Sequence, residues 1–282
     1  MRQTTTFSAY TINNARIIPF SATDYSRFKF GSVAVAQAFG YELADKFIKN
    51  KMPQLIQNNQ LKRPLVVIPS PYSFITTASG VMAEFFVERL NRYLAMHHFS
   101  VVQTAKIHRN TTYREDYGAL NAEQRLALIE KDTFHIDAKF CENKTLLFLD
   151  DIKITGSHEK IVTRTLDTEG VVSDSFFLYF AELSNPKIDP TIENYLNYFA
   201  IDSLSGVHEL IQSGDFRFNT RVVKYILNAA PSDCKAFLMQ QSDTFLNNFF
   251  NHALGNSYHE IDAYRENCLF AGRLTNNFKV HI

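Results

Sequence analysis

The segment 145–160, TLLFLDDIKITGSHEK, constrains the fold more than any other part of the chain. It opens with a short apolar run, Thr145 to Leu149, which predicts a buried strand of a parallel sheet. Asp150 and Asp151 follow at the point where we expect the strand to end. After a short loop, the pattern predicts a helix over 160–167. This order indicates an α/β unit with a ligand site at the carboxyl end of the strand.

The side chains of this segment suit a sugar phosphate. Two adjacent ionised carboxylates repel each other, but vicinal sugar hydroxyls can each donate a hydrogen bond to one of them. Gly156 lets the backbone approach an anion closely, and the hydroxyls of Thr155 and Ser157 add donors. The following helix directs its free N–H groups to the same place. The segment therefore predicts a site for a ribose 5-phosphate.

Two other interpretations compete with this one. An Asp-Asp pair and a Thr-Gly turn can form a helix cap and a solvated corner without any function. The occurrence of strand, acids, loop and helix in the required order favours the binding site. A phosphatase of the haloacid dehalogenase type also begins from an aspartate after an apolar strand. That family needs alternating acids, Asp-x-Asp, and Ile152 occupies the second acidic position.

The run LLFLDDIKITGS resembles the phosphoribosyl pyrophosphate (PRPP) motif of type I phosphoribosyltransferases. The resemblance implies that Asp150 and Asp151 hold the ribose hydroxyls and act in catalysis. The following loop would hold the 5-phosphate. The chain departs from the family pattern at Ile154, where a hydroxyl residue is common, and at His158, where Thr or Ser is common. The substrate-binding residues implied here are Lys153, Ile154, Thr155, Gly156, Ser157 and His158.

A second apolar run, Pro64 to Ile68, predicts another buried strand, followed by a long helix that reaches about Met96. In type I phosphoribosyltransferases the loop after the equivalent strand binds pyrophosphate. Here it reads PSPYS, residues 69–73, and it contains no Arg or Lys. Its 70–71 bond precedes a proline and can be cis at low cost. A proline-punctuated turn without function is the alternative. The donors implied in this loop are Ser70, Tyr72 and Ser73.

The polar segment from Lys106 to Lys131 contains several cations, as expected of a loop that closes over phosphoryl groups. We expect Arg109 or Arg114 to cover the pyrophosphate; a charge-rich solvated helix is the alternative. Part of this segment, YGALNAEQRLALIEKDTFHID, resembles the region before the PRPP motif in the competence-associated ComF group. The matching residues are Leu120, Arg125 and Phe134.

The segment 28–31, FKFG, also resembles the lysine-aromatic segment of the ComF group, ahead of a helix expected over 33–49. Without the resemblance, two interpretations of this segment are open: the start of a helix with a solvated Lys29, or a cation and a turn at Gly31 near the cleft. Its residues favour the first. The resemblance covers roughly residues 24–182. It implies a ComF-like core without the amino-terminal zinc-binding cysteines often found in that group.

These elements predict an α/β fold, a largely parallel sheet flanked by helices, with a helical C-terminal region. Residues 1–24 predict one or two edge strands, and 171–179 predict a further strand. Two prolines and turn formers over 183–190 suggest a boundary between domains 1–185 and 186–282. Capping the active site, recognising a base, forming a homodimer and simple packing are the open roles for the second domain. Its expected helices span 192–199, 204–212, 222–228, 234–239 and 244–252.

Composition limits the remaining classes of function. The formal net charge is zero, so a nucleic-acid or membrane-surface role gains no support. No apolar run approaches the ~20 residues that span a bilayer. Three widely separated cysteines and the lack of a signal-like segment indicate a reducing cytoplasm. His97 and His98 are adjacent on a helix and cannot chelate one metal well, so no metal site is predicted.

The resemblance implies transfer of a phosphoribosyl group from PRPP to a nitrogenous acceptor, with release of pyrophosphate. Mg²⁺ is expected to arrive with PRPP and to stabilise the leaving group. The identity of the acceptor is not encoded in any motif. A non-catalytic PRPP or nucleotide sensor is the first alternative, and a scaffold that has lost ligand affinity is the second.

Overall fold

A computed structural model describes residues 3–109 and 134–275 of the chain. Its centre is a five-stranded parallel sheet, flanked by helices and followed by a helical C-terminal region. The predicted fold class is therefore confirmed, including the edge position of the N-terminal strand. From one edge to the other, the strands of the sheet are β1 (Thr4–Ile12), β7 (Ser175–Leu183), β6 (Thr145–Lys153), β2 (Leu65–Pro69) and β3 (Gln103–Thr104). A separate antiparallel pair consists of β4 (His108–Arg109) and β5 (Phe134–His135).

The helices around the sheet are α1 (Ala22–Lys29), α2 (Val33–Gln57), α3 (Ala78–Met96), α4 (Ala138–Cys141) and α5 (Ser157–Thr168). The C-terminal region contains α6 (Ile192–Asn197), α7 (Leu204–Gln212), α8 (Thr220–Leu227), α9 (Pro231–Leu238), α10 (Asp243–Gly255) and α11 (Asp262–Leu274). Hydroxyl side chains begin the first three helices, because Ser21, Ser32 and Thr77 each accept a hydrogen bond from a backbone N–H of the first turn.

Several predicted boundaries were wrong. Helix α2 continues to Gln57 through Pro53 instead of ending near residue 49. Strand β7 begins about four residues later than expected, after Gly170 turns the chain with a φ of 70°. The predictions also missed α1 as a separate helix and α11 altogether. By contrast, α7 spans the residues predicted for it.

The sheet is covered on both faces, as its continuous apolar strands require. Leu147 and Leu149 of β6 belong to the core cluster that contains α2 and α3. Leu146 and Phe148 point to the opposite cluster, which includes Val162 of α5. The end of β6 therefore lies between two different layers of helices.

The helical C-terminal region packs on two segments of the α/β core. Its own apolar cluster includes Phe30 from the turn after α1 and Ile75 from the loop after β2. The backbone N–H of Arg217 donates to the carbonyl of Gly31 at 2.9 Å, and that of Thr220 donates to Thr76 at 2.9 Å. The predicted domain boundary falls just after β7 and stays a prediction. No helix in the described ranges is long and apolar enough to cross a membrane.

Candidate functional site

The two acids lie inside a strand and not after it, which corrects the prediction. Strand β6 reaches Lys153 because β7 runs beside it as far as the pair Lys153 and Glu182, whereas β2 stops opposite Leu149. Asp150 and Asp151 therefore lie beyond the end of β2, at the rim of the sheet. Successive side chains of a strand point to opposite faces. The two carboxylates accordingly contact different helices.

Asp150 faces α5. Its Oδ2 lies 2.9 Å from Nδ1 of His158, and its Oδ1 accepts the backbone N–H of Asp151 at 2.9 Å. Burial tends to raise the pKa of Asp150, but the hydrogen bond and charge of His158 outweigh this effect and hold the pKa below its ordinary value. The side chain of Asp150 is 20% exposed. It is the more accessible of the two carboxylates.

A small cavity borders Asp150 and His158 and is also lined by Ser70, Pro71 and Tyr179. The described residues leave about 20 Å³ in it, which holds about one water molecule. A sugar phosphate at Asp150 must therefore occupy the outer rim or displace His158 from the carboxylate.

Asp151 faces α1 and is almost completely buried. Its Oδ2 accepts hydrogen bonds from Lys29 Nζ and from the hydroxyl of Tyr25, each at 2.5 Å. Burial raises the pKa of Asp151 to about 6; Lys29 opposes this shift, and the charge of Asp150 adds to it. The interpretation of Lys29 as a solvated residue was wrong, because this lysine is only 8% exposed. No motif pointed to Tyr25.

The loop before α5 leaves the N-terminal end of this helix open. Gly156 has a φ of 70° at the N-cap position and provides no side-chain cap, and the backbone N–H of Ser157 donates to Oγ1 of Thr155 at 3.4 Å. The hydroxyls of Thr155 and Ser157 are 2.7 Å apart. Lys153 Nζ pairs with Glu159, in the first turn of this helix, at 2.6 Å. Ile154, at the first departure from the family pattern, is partly buried against the core cluster of α2 and α3.

The predicted donors of the loop after β2, Ser70, Tyr72 and Ser73, lie in different surroundings. Ser70 is buried and accepts a hydrogen bond from Ser79 at 2.9 Å, and its peptide bond to Pro71 is trans. The carbonyl of Tyr72 accepts the backbone N–H of Arg109 at 3.3 Å. The carbonyl of Ser73 accepts a hydrogen bond from Lys106 Nζ. Lys106, the first cation of the polar segment 106–131, therefore lies against a loop that contains no cation of its own. Arg114 lies outside the described residues.

The helical region fixes the same loop. Asn256 Oδ1 accepts the backbone N–H groups of Phe74 and Ile75 at 2.9 and 3.1 Å, and Asn256 Nδ2 donates to the hydroxyl of Tyr258 at 3.0 Å. Burial raises the pKa of Tyr258 to about 12, against the opposing effects of the hydrogen bond with Asn256 and of the nearby Arg109 charge. The C-terminal region thus borders the candidate site. Sequence patterns gave no signal of this contact, because it joins residues more than 180 positions apart.

The profile of a family described as "PRTase ComF-like" matches residues 3–271. The chain belongs to this family. The match crosses the predicted domain boundary, so the family description covers most of the helical region as well. The ComF-like resemblance of the sequence is confirmed.

This ComF-like phosphoribosyltransferase relative also shows weak similarity to solved structures. Two crystal forms of a hypoxanthine phosphoribosyltransferase from Staphylococcus aureus have TM-scores of 0.32 and 0.33 to it, with 11% and 12% sequence identity. The similarity covers 52% of this chain and 74% of the first structure, and 61% and 80% for the second. Both TM-scores are below 0.5 and support no conclusion about activity. No curated protein matches the chain.

In this member of the family, the rim of the sheet brings together Ser70, Asp150 and His158. Tyr72 lies on the far side of the loop and lines another cleft. The described residues contain no group of three or more His, Cys, Asp or Glu side chains placed to hold a metal ion. His97 instead stacks on Tyr93, with ring centroids 4.1 Å apart.

Proposed function

We propose that the protein binds PRPP or a nucleoside 5'-monophosphate at the rim of the sheet. It transfers the phosphoribosyl group to a nitrogenous acceptor and releases pyrophosphate. The observation that carries this proposal is the position of a partly exposed carboxylate, Asp150, beside the N-terminal end of α5, where the N-cap residue Gly156 provides no side-chain cap. A carboxylate accepts the sugar hydroxyls, and a free helix N-terminus binds a phosphate. Family membership supports the same assignment.

In the proposed reaction, the bond from the anomeric carbon to the pyrophosphate oxygen breaks and a bond to the acceptor nitrogen forms. Asp150 orients the ribose and places negative charge near the developing cation. The N–H groups at the start of α5, with Thr155 and Ser157, hold the 5-phosphate. Arg109 lies beside the loop that would receive the pyrophosphate. Mg²⁺ enters with PRPP as part of the substrate.

Calorimetric titration with PRPP and Mg²⁺ tests the binding site. We expect Asp150→Asn to weaken PRPP binding by at least about tenfold, because an amide replaces a charged acceptor. Asp45→Asn is the matched control, since Asp45 pairs with Arg89 on the surface at 2.7 Å. Pyrophosphate release with a panel of nitrogenous bases then measures turnover. An Asp150→Asn variant that binds as tightly as the parent contradicts the proposal.

Helix α1 favours a second candidate function, ligand sensing without turnover. Tyr25 and Lys29 hold Asp151 from one side of the helix. Ser26, on another side, donates to the carbonyl of Asn197 at 2.8 Å, and Phe30 enters the core of the helical region. A ligand that engages Asp151 competes with Lys29 and so disturbs α1. The helical region would then report the occupancy of the site.

Two measurements separate the candidates. A sensor binds PRPP, releases no pyrophosphate with any base, and changes the hydrogen exchange of α6 to α8 on binding. An enzyme releases pyrophosphate with at least one base. We also propose a cytosolic location, which is supported by three free and buried thiols, Cys141, Cys234 and Cys268.

A further inference from the structure

A second and much larger cleft lies between the α/β core and the helical region, with a volume of about 1180 Å³. The core side comprises the edge strand β3, the first half of α3 and the loop from Tyr72 to Thr76. The helical side comprises residues 216–218 and one face of α10 from its start to His252. Pro69 borders both this cleft and the small cavity at Asp150. The two spaces are therefore neighbours separated by the loop after β2, and no residue of the predicted phosphate-binding set 153–158 lines the cleft.

The helical side of the cleft is aromatic. The ring of Phe218 lies 5.0 Å from Phe216, 4.8 Å from Phe245 and 5.1 Å from His252, measured between centroids. Nδ1 of His252 is buried without a hydrogen-bond partner among the described residues, and burial lowers the pKa of this side chain. A neutral imidazole offers one donor and one acceptor to a ligand. These rings form a surface suited to a flat aromatic group.

Among the charged residues that line the cleft in the described ranges, one cation has no acidic partner. Arg217 and Glu84 pair with each other through two contacts of 2.6 and 2.9 Å, so they offset each other. Lys106 is the remaining charged residue of the described lining. Its Nζ donates to the carbonyl of Ser73 and lies 4.0 Å above the ring of Tyr72, and within the described ranges it forms no ion pair with a carboxylate. Burial lowers the pKa of Lys106, because it removes water from the charged ammonium group.

We propose that this cleft is a binding site for a planar aromatic anion, whose ring lies among Phe218, Phe245 and His252 and whose acidic group pairs with Lys106. The aromatic side chains of the cleft would pack against the ring of the ligand. Lys106, which has no acidic partner in the described ranges, would pair with its acidic group. The site needs neither PRPP nor phosphoribosyl transfer. It gives the helical region a role in ligand binding beyond packing.

The test uses 2-naphthoate, with the uncharged 2-naphthylmethanol as its matched isostere. Naphthyl fluorescence follows binding directly, because the chain has no tryptophan. We expect naphthoate to bind the full-length protein at least about tenfold more tightly than the alcohol, and Lys106→Gln to remove that difference. Lys51→Met is the control, since Lys51 also lies over an aromatic ring, Phe7, at 5.9 Å. Phe218→Ala should weaken both probes.

A second variant protects the test against a Lys106 substitution that fails to fold. Asn248 is an exposed lining residue, and Asn248→Asp adds a negative charge with little change in shape. It should weaken naphthoate by several-fold and leave naphthylmethanol unchanged. Asp150→Asn should leave both affinities unchanged, which separates this site from the proposed PRPP site. Equal binding of the two probes, no binding, or loss of naphthoate binding in Asp150→Asn would overturn the proposal.

Discussion

Asp150 and Asp151 are neighbours in the chain, yet their surroundings on the two faces of the sheet differ in kind. Asp151 is 6% exposed and receives two donors from α1, Lys29 and Tyr25, at 2.5 Å. Asp150 pairs with a single imidazole, His158, and both of these side chains remain partly exposed. The comparison indicates that the two carboxylates have different roles. Asp151 attaches α1 to the sheet, and Asp150 remains accessible to a ligand.

The largest expected effect is on the Asp151 face. Lys29→Met leaves a buried carboxylate without its cation, and breaking such a pair costs about 3–5 kcal/mol of unfolding free energy. Urea denaturation followed by circular dichroism at pH 7 measures this loss. The control is Lys235→Met, which breaks the exposed pair with Glu266 and should cost less than about 1 kcal/mol. The double variant Lys29→Met/Asp151→Asn should recover much of the stability. Equal losses of unfolding free energy in Lys29→Met and Lys235→Met would show that the Asp151 face has no special structural role.

Tyr25→Phe sharpens the same comparison with a smaller change. The ring keeps its packing against Phe20 and Phe28, at 5.6 and 6.0 Å between centroids, and only the hydroxyl is lost. A hydrogen bond to a charged group contributes about 1.5–3 kcal/mol, so we expect a loss in that range by the same denaturation assay. A variant as stable as the parent would mean that Lys29 alone satisfies Asp151.

Local patterns predicted the parts of the fold that depend on nearby residues. The apolar run 145–149, the long helix α3 and the whole of α7 follow from periodicity within one segment. The role of Lys29 was mispredicted because its partner Asp151 lies 122 positions away, and no local pattern encodes such a contact. The acids were placed after the strand because the continuation of β6 depends on pairing with β7. The contact of Asn256 with the loop after β2 was also not predicted, because it joins residues 182 positions apart.

The pH dependence of folding should also separate the two acids. The pKa of Asp151 is raised to about 6, above that of an unfolded aspartate. The folded state therefore binds more protons between these two values, and the contribution of Asp151 to stability increases as the pH falls from 7 through 6 toward the unfolded pKa. Carbon-13 NMR of labelled aspartate carboxyls should detect this titration near pH 6. Asp150→Asn should lower the pKa of Asp151, because it removes a repelling charge. An Asp151 that titrates at its ordinary value in the parent would contradict the assigned environment.

The smallest expected effect is that of His158→Ala on the Asp150 face. The pair is partly exposed, with side chains 33% and 20% accessible, so its loss should cost less than about 1 kcal/mol at pH 7. The pKa of Asp150 should rise, because the hydrogen bond and charge that lower it are gone. In the parent, the stability due to this depressed pKa is present above about pH 4 and is lost as the pH falls through the folded pKa. The variant lacks that contribution, so its unfolding free energy should fall less than that of the parent between pH 5 and pH 3, as measured by urea denaturation. A loss at pH 7 as large as that of Lys29→Met would show that the Asp150 face is structural too, and would leave the proposed ligand site without its accessible carboxylate.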